Sequence, residues 1–231
     1  MFSKPGGVAA IVVTIAVPLV ILGNAMVLLL FPTMPAFQYS LPGFPDDPLG
    51  LAGQDRVDLA VAGVKSIWPV GAGEQYLRDA RLPEGGSAYT DFEIDHMNDV
   101  RSLIRWGLGI WLVSLVALCA AAMSLAKQGR QYMALRAAGR GLIVGGVALA
   151  AVGLLMLVAY DFFFDGFHNI FFAAGTWNFA DEFTLRRIYP DAFWVNASAA
   201  FVVLALIQGT VLGLVVRGAA GTAGSPGRST P

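Results

Sequence analysis

Apolar and polar residues alternate along this chain in long blocks. Val8 to Phe31 is an apolar run of about 24 residues, broken only by Thr14, Pro18, Gly23 and Asn24. That is long enough to cross roughly 30 Å of hydrocarbon as a helix. Three more such runs follow: 104–126, 141–160 and 193–216. The pattern predicts an all-α membrane protein with four transmembrane helices, spanning 8–31, 104–126, 141–160 and 193–216. The first run is too long for a signal h-region, and Met34-Pro35-Ala36 is a poor cleavage site, so it reads as an uncleaved span that Pro18 kinks.

Between the runs lie polar segments of unequal size. Residues 32–103 form a long loop that opens on Pro32, Pro35, Pro42, Pro45 and Pro48, an irregular extended path. Val57, Val61, Val64 and Trp68 then recur at helical spacing and predict a surface helix over 55–68, stopped by Pro69 and Gly71-Ala72-Gly73. Thr90-Asp91-Phe92-Glu93 matches a capping box, so a helix starts there and carries His96 towards the second span. The segment 161–192 is a second, shorter loop, and 127–140 a short connection. The Gly/Ser/Thr/Pro-rich tail, 217–231, reads as disordered.

Charge orients this layout. The 127–140 connection holds Lys127, Arg130, Arg136 and Arg140 and no acid, which predicts a cytoplasmic location. Residues 1–7 and the tail then share that side, so both termini are cytoplasmic. All sixteen Asp and Glu residues fall in 32–103 and 161–192. Both loops are therefore expected outside a plasma membrane, as an extracytoplasmic cap. Charged residues are 13% of the chain and hydrophobic residues 56%, against about 25% charged in a soluble domain. The net charge of −1 and the lack of a basic tract with interleaved aromatics argue against nucleic-acid partners. The single cysteine, Cys119, lies inside an apolar run and cannot form a disulfide within the chain.

Chemistry concentrates at the only two histidines. His96 lies on the helix feeding the second span, with Phe92, Glu93 and Asp99 able to share its face. His168 follows Asp161 and Asp165 on one helical face. Each ring thus has a carboxylate, Asp99 or Asp165, spaced to orient it. Both histidines sit where an outer loop meets a span, so they can converge. Phe162, Phe163, Phe164, Phe167, Phe171, Phe172 and Trp177 suit either an interfacial aromatic belt or an apolar wall for acyl chains. His96, His168, Asp99 and Asp165 are acceptable zinc ligands in type, but no short-range ligand pair exists, and no metal or cofactor is expected. No nucleophile elbow or phosphate-binding glycine loop occurs.

Phe92-Glu93-Ile94-Asp95-His96-Met97-Asn98-Asp99-Val100 and Asp165-Gly166-Phe167-His168-Asn169-Ile170-Phe171-Phe172, followed by Trp177 and Tyr189-Pro190-Asp191-Ala192-Phe193-Trp194, resemble the bacterial lipoprotein intramolecular transacylases (Lit). The likeness runs from Pro32 to Val216. It implies four spans under an extracellular cap, with His96 and His168 as catalytic residues. It also implies a reaction: the sn-2 acyl chain of a lipoprotein's diacylglyceryl group moves to the α-amino group of its N-terminal cysteine, giving a lyso-form lipoprotein. The partners would be a diacylated lipoprotein and membrane lipid.

Such an ester-to-amide transfer needs a base for an α-ammonium of pKa about 7.7–8.0, an acid for the departing alkoxide and donors for an oxyanion. Two histidines can supply the acid and base at neutral pH. Our assignment makes His96 the base and His168 its partner, an order the residues alone leave reversible. Asp99 and Asp165 orient them, Asn169 and Trp177 donate to substrate, and Phe164, Phe167, Phe171 and Phe172 hold acyl chains. Two other readings stand beside this one: a non-enzymatic membrane binding or scaffold protein of the same fold, and a metal-dependent membrane hydrolase.

Overall fold

A computed structural model describes residues 5–223. The described residues form helices and loops, with one isolated bridge between Arg81 and Ser87. Nine helices follow in order: α1 Pro5–Leu29, α2 Met34–Tyr39, α3 Gly53–Ile67, α4 Gln75–Arg78, α5 Asp91–Lys127, α6 Gln131–Val158, α7 Tyr160–Phe171, α8 Thr184–Ile188 and α9 Asp191–Ala223. Stretches of α1, α5, α6 and α9 are long and apolar enough to cross a membrane. This is a multi-pass, all-α membrane protein.

Several bounds differ from the hydrophobic pattern. α5 is continuous from Asp91 to Lys127, so His96 rides on the same rod as the second apolar run. α6 begins at Gln131, which leaves only 128–130 between the two helices. Lys127, Arg136 and Arg140 are good helix formers and need not end a helix when they become polar. α9 likewise runs on to Ala223 through much of the expected disordered tail. Residues 1–4 and 224–231, which hold the rest of the expected cytoplasmic ends, lie outside the described residues.

The chain divides into two compact units. The first gathers Leu108–Leu154 with the described parts of Met1–Met26 and Phe201–Pro231. Its core is Val13, Val17, Ala121, Leu125 and Ala137. Small residues let the helices approach closely, as membrane helices require where lipid supplies no hydrophobic drive. Pro18 removes the backbone donor that would reach the Thr14 carbonyl, and Gly141 packs directly on that oxygen. Gly23 lies against the Trp111 indole, where any side chain would collide. Beside it, Trp111 Nε1 donates to Asn24 Oδ1 at 3.0 Å, and Asn24 Nδ2 donates to Gln208 Oε1 at 3.0 Å. The one polar interruption late in α1 therefore ties α1, α5 and α9 together.

The second unit comprises Val27–Gly107 and Leu155–Ala200. Its core includes Leu59, Ala60, Leu77, Tyr89, Ile94, Met97, Leu185, Ile188, Tyr189 and Phe193. Three tyrosine hydroxyls are spent on backbone carbonyls: Tyr89 on Leu59 (2.7 Å), Tyr189 on Ala60 (2.6 Å) and Tyr39 on Ile188 (2.6 Å). α3 buries Arg56, Leu59, Ala60, Gly63 and Val64, a face turned from the valine stripe read from its sequence. The cause is Arg56. Its guanidinium donates to the carbonyls of Pro45 (2.8 Å) and Arg187 (2.9 Å) and lies over the Tyr39 ring, so a charged residue occupies a core position with its donors largely matched.

The Thr90 capping box forms as spelled. Thr90 N–H donates to Glu93 Oε2 at 2.8 Å, and Glu93 N–H to Thr90 Oγ1 at 3.3 Å. Glu93 Oε1 also accepts from Leu185 N–H at 2.8 Å, and Thr184 Oγ1 donates to the Ala88 carbonyl at 2.5 Å. One buried carboxylate therefore caps α5 and holds the start of α8 to it.

Candidate active site

Both histidines lie in the second unit, and both are buried. α5 carries His96 one turn beyond Glu93. α7 carries His168 on its inner face with Tyr160 and Phe164, at i, i+4 and i+8. The two imidazoles are 6.2 Å apart, centre to centre, and 22° from parallel. Aromatic rings enclose them. Phe164 (4.1 Å) and Trp177 (4.7 Å) lie against His168, while Phe179 (5.3 Å) lies against His96. Phe172 touches both histidines, at 5.0 and 5.5 Å.

After α7 the chain turns at Gly175, whose φ of +81° favours glycine, with Thr176 N–H bonded to the Ala173 carbonyl at 3.2 Å. The return strand of coil then lays Trp177 on His168 and Phe179 near His96. Phe179 escaped the sequence reading. Its signal was the i, i+2 spacing from Trp177 in a non-helical stretch, which points both rings the same way. Tyr160 also escaped. Its ring is 5.7 Å from Phe164, and its hydroxyl is buried without a partner.

The expected carboxylate orienters are elsewhere. Asp99 and Asp165 are exposed, and neither has a hydrogen bond to a histidine. His168 Nδ1 instead bonds the Phe164 carbonyl at 2.8 Å. A carbonyl only accepts, so this nitrogen carries the proton and Nε2 keeps its lone pair. A residue one helical turn back thus supplies locally what a carboxylate would have supplied. His96 Nδ1 is buried with no partner. A buried N–H without an acceptor costs more than an idle lone pair, which favours the tautomer with the proton on Nε2.

Asn169 is exposed on the outer side of α7, turned from the histidines by the helical period. Trp177 is within the site, and its Nε1–H is buried and unpartnered. Of the expected acyl-chain residues, Phe164 and Phe172 line the histidine pair. Phe167 meets His168 edge-on at 5.5 Å, and Phe171 is exposed and packs on Phe167 (4.9 Å). Among the described residues no group of three or more His, Cys, Asp or Glu side chains could hold a metal ion.

His96 lies in the polar N-terminal turns of α5, with Asp91, Glu93, Asp95 and Asp99, ahead of the apolar run that begins near residue 104. Burial, with the nearby His168, lowers the His96 pKa to about 4. Burial also lowers that of His168, against the raising influence of the Phe164 carbonyl and Asp165. Both rings are neutral at pH 7, one offering a lone pair and the other a proton. Three buried, unmatched polar atoms (Trp177 Nε1, Tyr160 hydroxyl and His96 Nδ1) lie in an otherwise aromatic lining. This is unusual in a settled core and expected where a polar substrate completes the bonding.

The family described as lipoprotein intramolecular transacylase Lit matches residues 77–194, just over half of the chain. The chain belongs to the Lit family. The matched segment contains both histidines, Trp177 and Phe179. An uncharacterized protein of Aquifex aeolicus (strain VF5) is 28% identical over 177 residues, covering 76% of this chain and 78% of its own. The in meso structure of the membrane integral Lit of Bacillus cereus superposes with a TM-score of 0.76 at 15% identity, over 94% of this chain and 97% of that one. A histidine-to-arginine variant of that protein gives 0.73 at 14% identity, over 94% and 93%. The four-helix membrane fold is thus shared across most of both chains. As a Lit family member the chain is an acyltransferase, a lipoprotein intramolecular transacylase. The scaffold and metallohydrolase readings are not favoured.

Proposed function

We propose that His96 and His168 carry this reaction on a diacylated lipoprotein outside the plasma membrane, moving its sn-2 acyl chain to the N-terminal cysteine amine. The near-parallel histidine pair is the observation that supports this most directly. The α-ammonium first loses one proton to solvent. The amine then attacks the sn-2 ester carbonyl, and a tetrahedral oxyanion forms. His168 Nε2 takes the second proton from nitrogen. The C–O bond to the glyceryl oxygen breaks, and that oxygen leaves with a proton, giving amide and free hydroxyl.

The Phe164 bond supports His168 as the base, reversing the order assigned from sequence. His168 then returns that proton to the leaving oxygen, which His96 Nε2–H hydrogen-bonds as it departs, so both rings end neutral. Trp177 Nε1–H suits the oxyanion, as an unmatched donor already fixed in a dry wall. Phe164, Phe172 and Phe179 exclude water and pack against acyl chain. Donor and acceptor belong to one substrate, so positioning alone supplies several kcal/mol and no acyl-enzyme is required.

The positive-inside argument supports cytoplasmic termini and an outward-facing histidine pair. The test is mass spectrometry of lipoprotein N-terminal peptides from cells making this protein. Acyl chain on nitrogen beside a lyso-glyceryl thioether is expected. Unchanged diacylglyceryl cysteine with a free amine overturns the reading.

A further inference from the structure

Arg101 and Arg105 stand one turn apart on α5, where the apolar run begins. Both grip the coil after α3. Arg101 Nε donates to the Trp68 carbonyl (3.0 Å) and Nη2 to that of Gly71 (3.2 Å). Arg105 reaches the Pro69 carbonyl through Nη2 at 3.1 Å. Gly73 leaves room for the Arg101 guanidinium, which a side chain there would strike. Lys65 Nζ lies 5.9 Å from the centre of the Tyr76 ring, and that ring in turn lies beside Gly71, whose carbonyl Arg101 holds.

Three cations therefore gather around residues 68–73. Arg78, Arg186 and Arg187 each hold a carboxylate, but none of Lys65, Arg101 and Arg105 has an ion pair among the described residues. Glu74, the acid that follows Gly73 on the same coil, spends Oε1 on Arg78 and Oε2 on Asn98. Like charges one helical turn apart repel unless an anion lies between them. Each guanidinium also keeps donors that the carbonyls do not use.

The surroundings say which anion. Trp106, next to Arg105, is 75% exposed, and Val70, at the tip of the gripped coil, is 78% exposed. Phe31, the last residue of the first apolar run, meets Trp68 edge-on at 6.4 Å. Exposed tryptophan, an exposed apolar loop tip and arginine at the end of a spanning run mark the headgroup level of a bilayer. Anions at that level are lipid phosphates.

We propose that Lys65, Arg101 and Arg105 form a binding site for the phosphodiester of an anionic membrane phospholipid, with Trp106 and Val70 against its glycerol and upper acyl chains. A lipoprotein's diacylglyceryl thioether has no phosphate, so this site is distinct from the substrate's. It does not depend on which side of the membrane the unit faces.

The test is native mass spectrometry of the full chain released from nanodiscs holding equal phosphatidylglycerol and phosphatidylcholine. The protein is expected to carry phosphatidylglycerol in preference. Arg105→Gln removes one charge and should lower that retention about fivefold, leaving the Arg101 grip intact. Lys65→Gln, which breaks no hydrogen bond, should lower it as well, and the doubly conservative Arg101→Lys/Arg105→Lys should keep most of it. Equal retention of the two lipids, or unchanged retention in both Arg105→Gln and Lys65→Gln, overturns the site. Inorganic phosphate bound at the three cations in place of any retained lipid overturns the lipid as its occupant.

Discussion

His96 and His168, one on α5 and one on α7, face each other with ring centres 6.2 Å apart. That is close enough for both to reach one substrate group. His96→Ala and His168→Ala should each reduce transacylation by about 10²–10⁴-fold, the span of general acid–base contributions. Membrane insertion and helicity should be unchanged. Lipoprotein peptide mass spectrometry reads the activity, and a variant that keeps it loses its place in the mechanism.

Trp177→Phe preserves a ring against His168 while deleting the unmatched Nε1–H. The expected loss is about 10²-fold in kcat, with KM little changed. A purely packing role predicts the reverse: nearly normal kcat, with the whole effect in stability.

The histidines also predict a pH dependence. Their pKa values fall on folding, to about 4 for His96, so the unfolded chain binds the proton first. Their contribution to stability is complete above the ordinary histidine value near 6.5 and declines as pH falls towards 4. Thermal unfolding at several pH values checks this, and stability already falling above pH 6.5 contradicts neutral, buried rings. The substrate's α-ammonium, of pKa about 7.7–8.0, sets the first acid limb of the rate profile, and protonation of the histidines adds a further fall below pH 6.5.

Glu93 accepts from the backbone of both Thr90 and Leu185. Glu93→Ala removes a helix cap and leaves a buried N–H unmatched, for a combined cost of about 2–4 kcal/mol. Melting temperature should fall, and activity with it, since the same carboxylate fixes the helix that carries His96. Glu93→Gln, which still has one acceptor oxygen, should lose less.

Gly23→Leu places a side chain where the Trp111 indole lies and forces α1 off α5. Overpacking of this kind costs about 1–3 kcal/mol. Thermal stability in detergent measures it, and Gly109→Leu, at a glycine with nothing within 4 Å, is the control.

Four spanning helices, the α5 cap and the histidine-bearing ends of two polar segments are legible in the chain because they rest on local rules. A bilayer needs an unbroken apolar run, and a capping box needs residues three apart. The paired histidines with Phe172 and Trp177 beside them follow once the family likeness is admitted. What lay beyond local rules depended on partners distant in sequence. Arg56 enters the core because carbonyls from Pro45 and Arg187 meet it there. Asp99 and Asp165 look placed to steer the histidines by spacing, yet they turn to solvent, and the Phe164 carbonyl takes that part. Phe179 joins the site only because Gly175 reverses the chain. Spacing says which groups lie on one face of a helix. Which donor meets which acceptor across helices depends on packing, and here packing gave His168 the free lone pair.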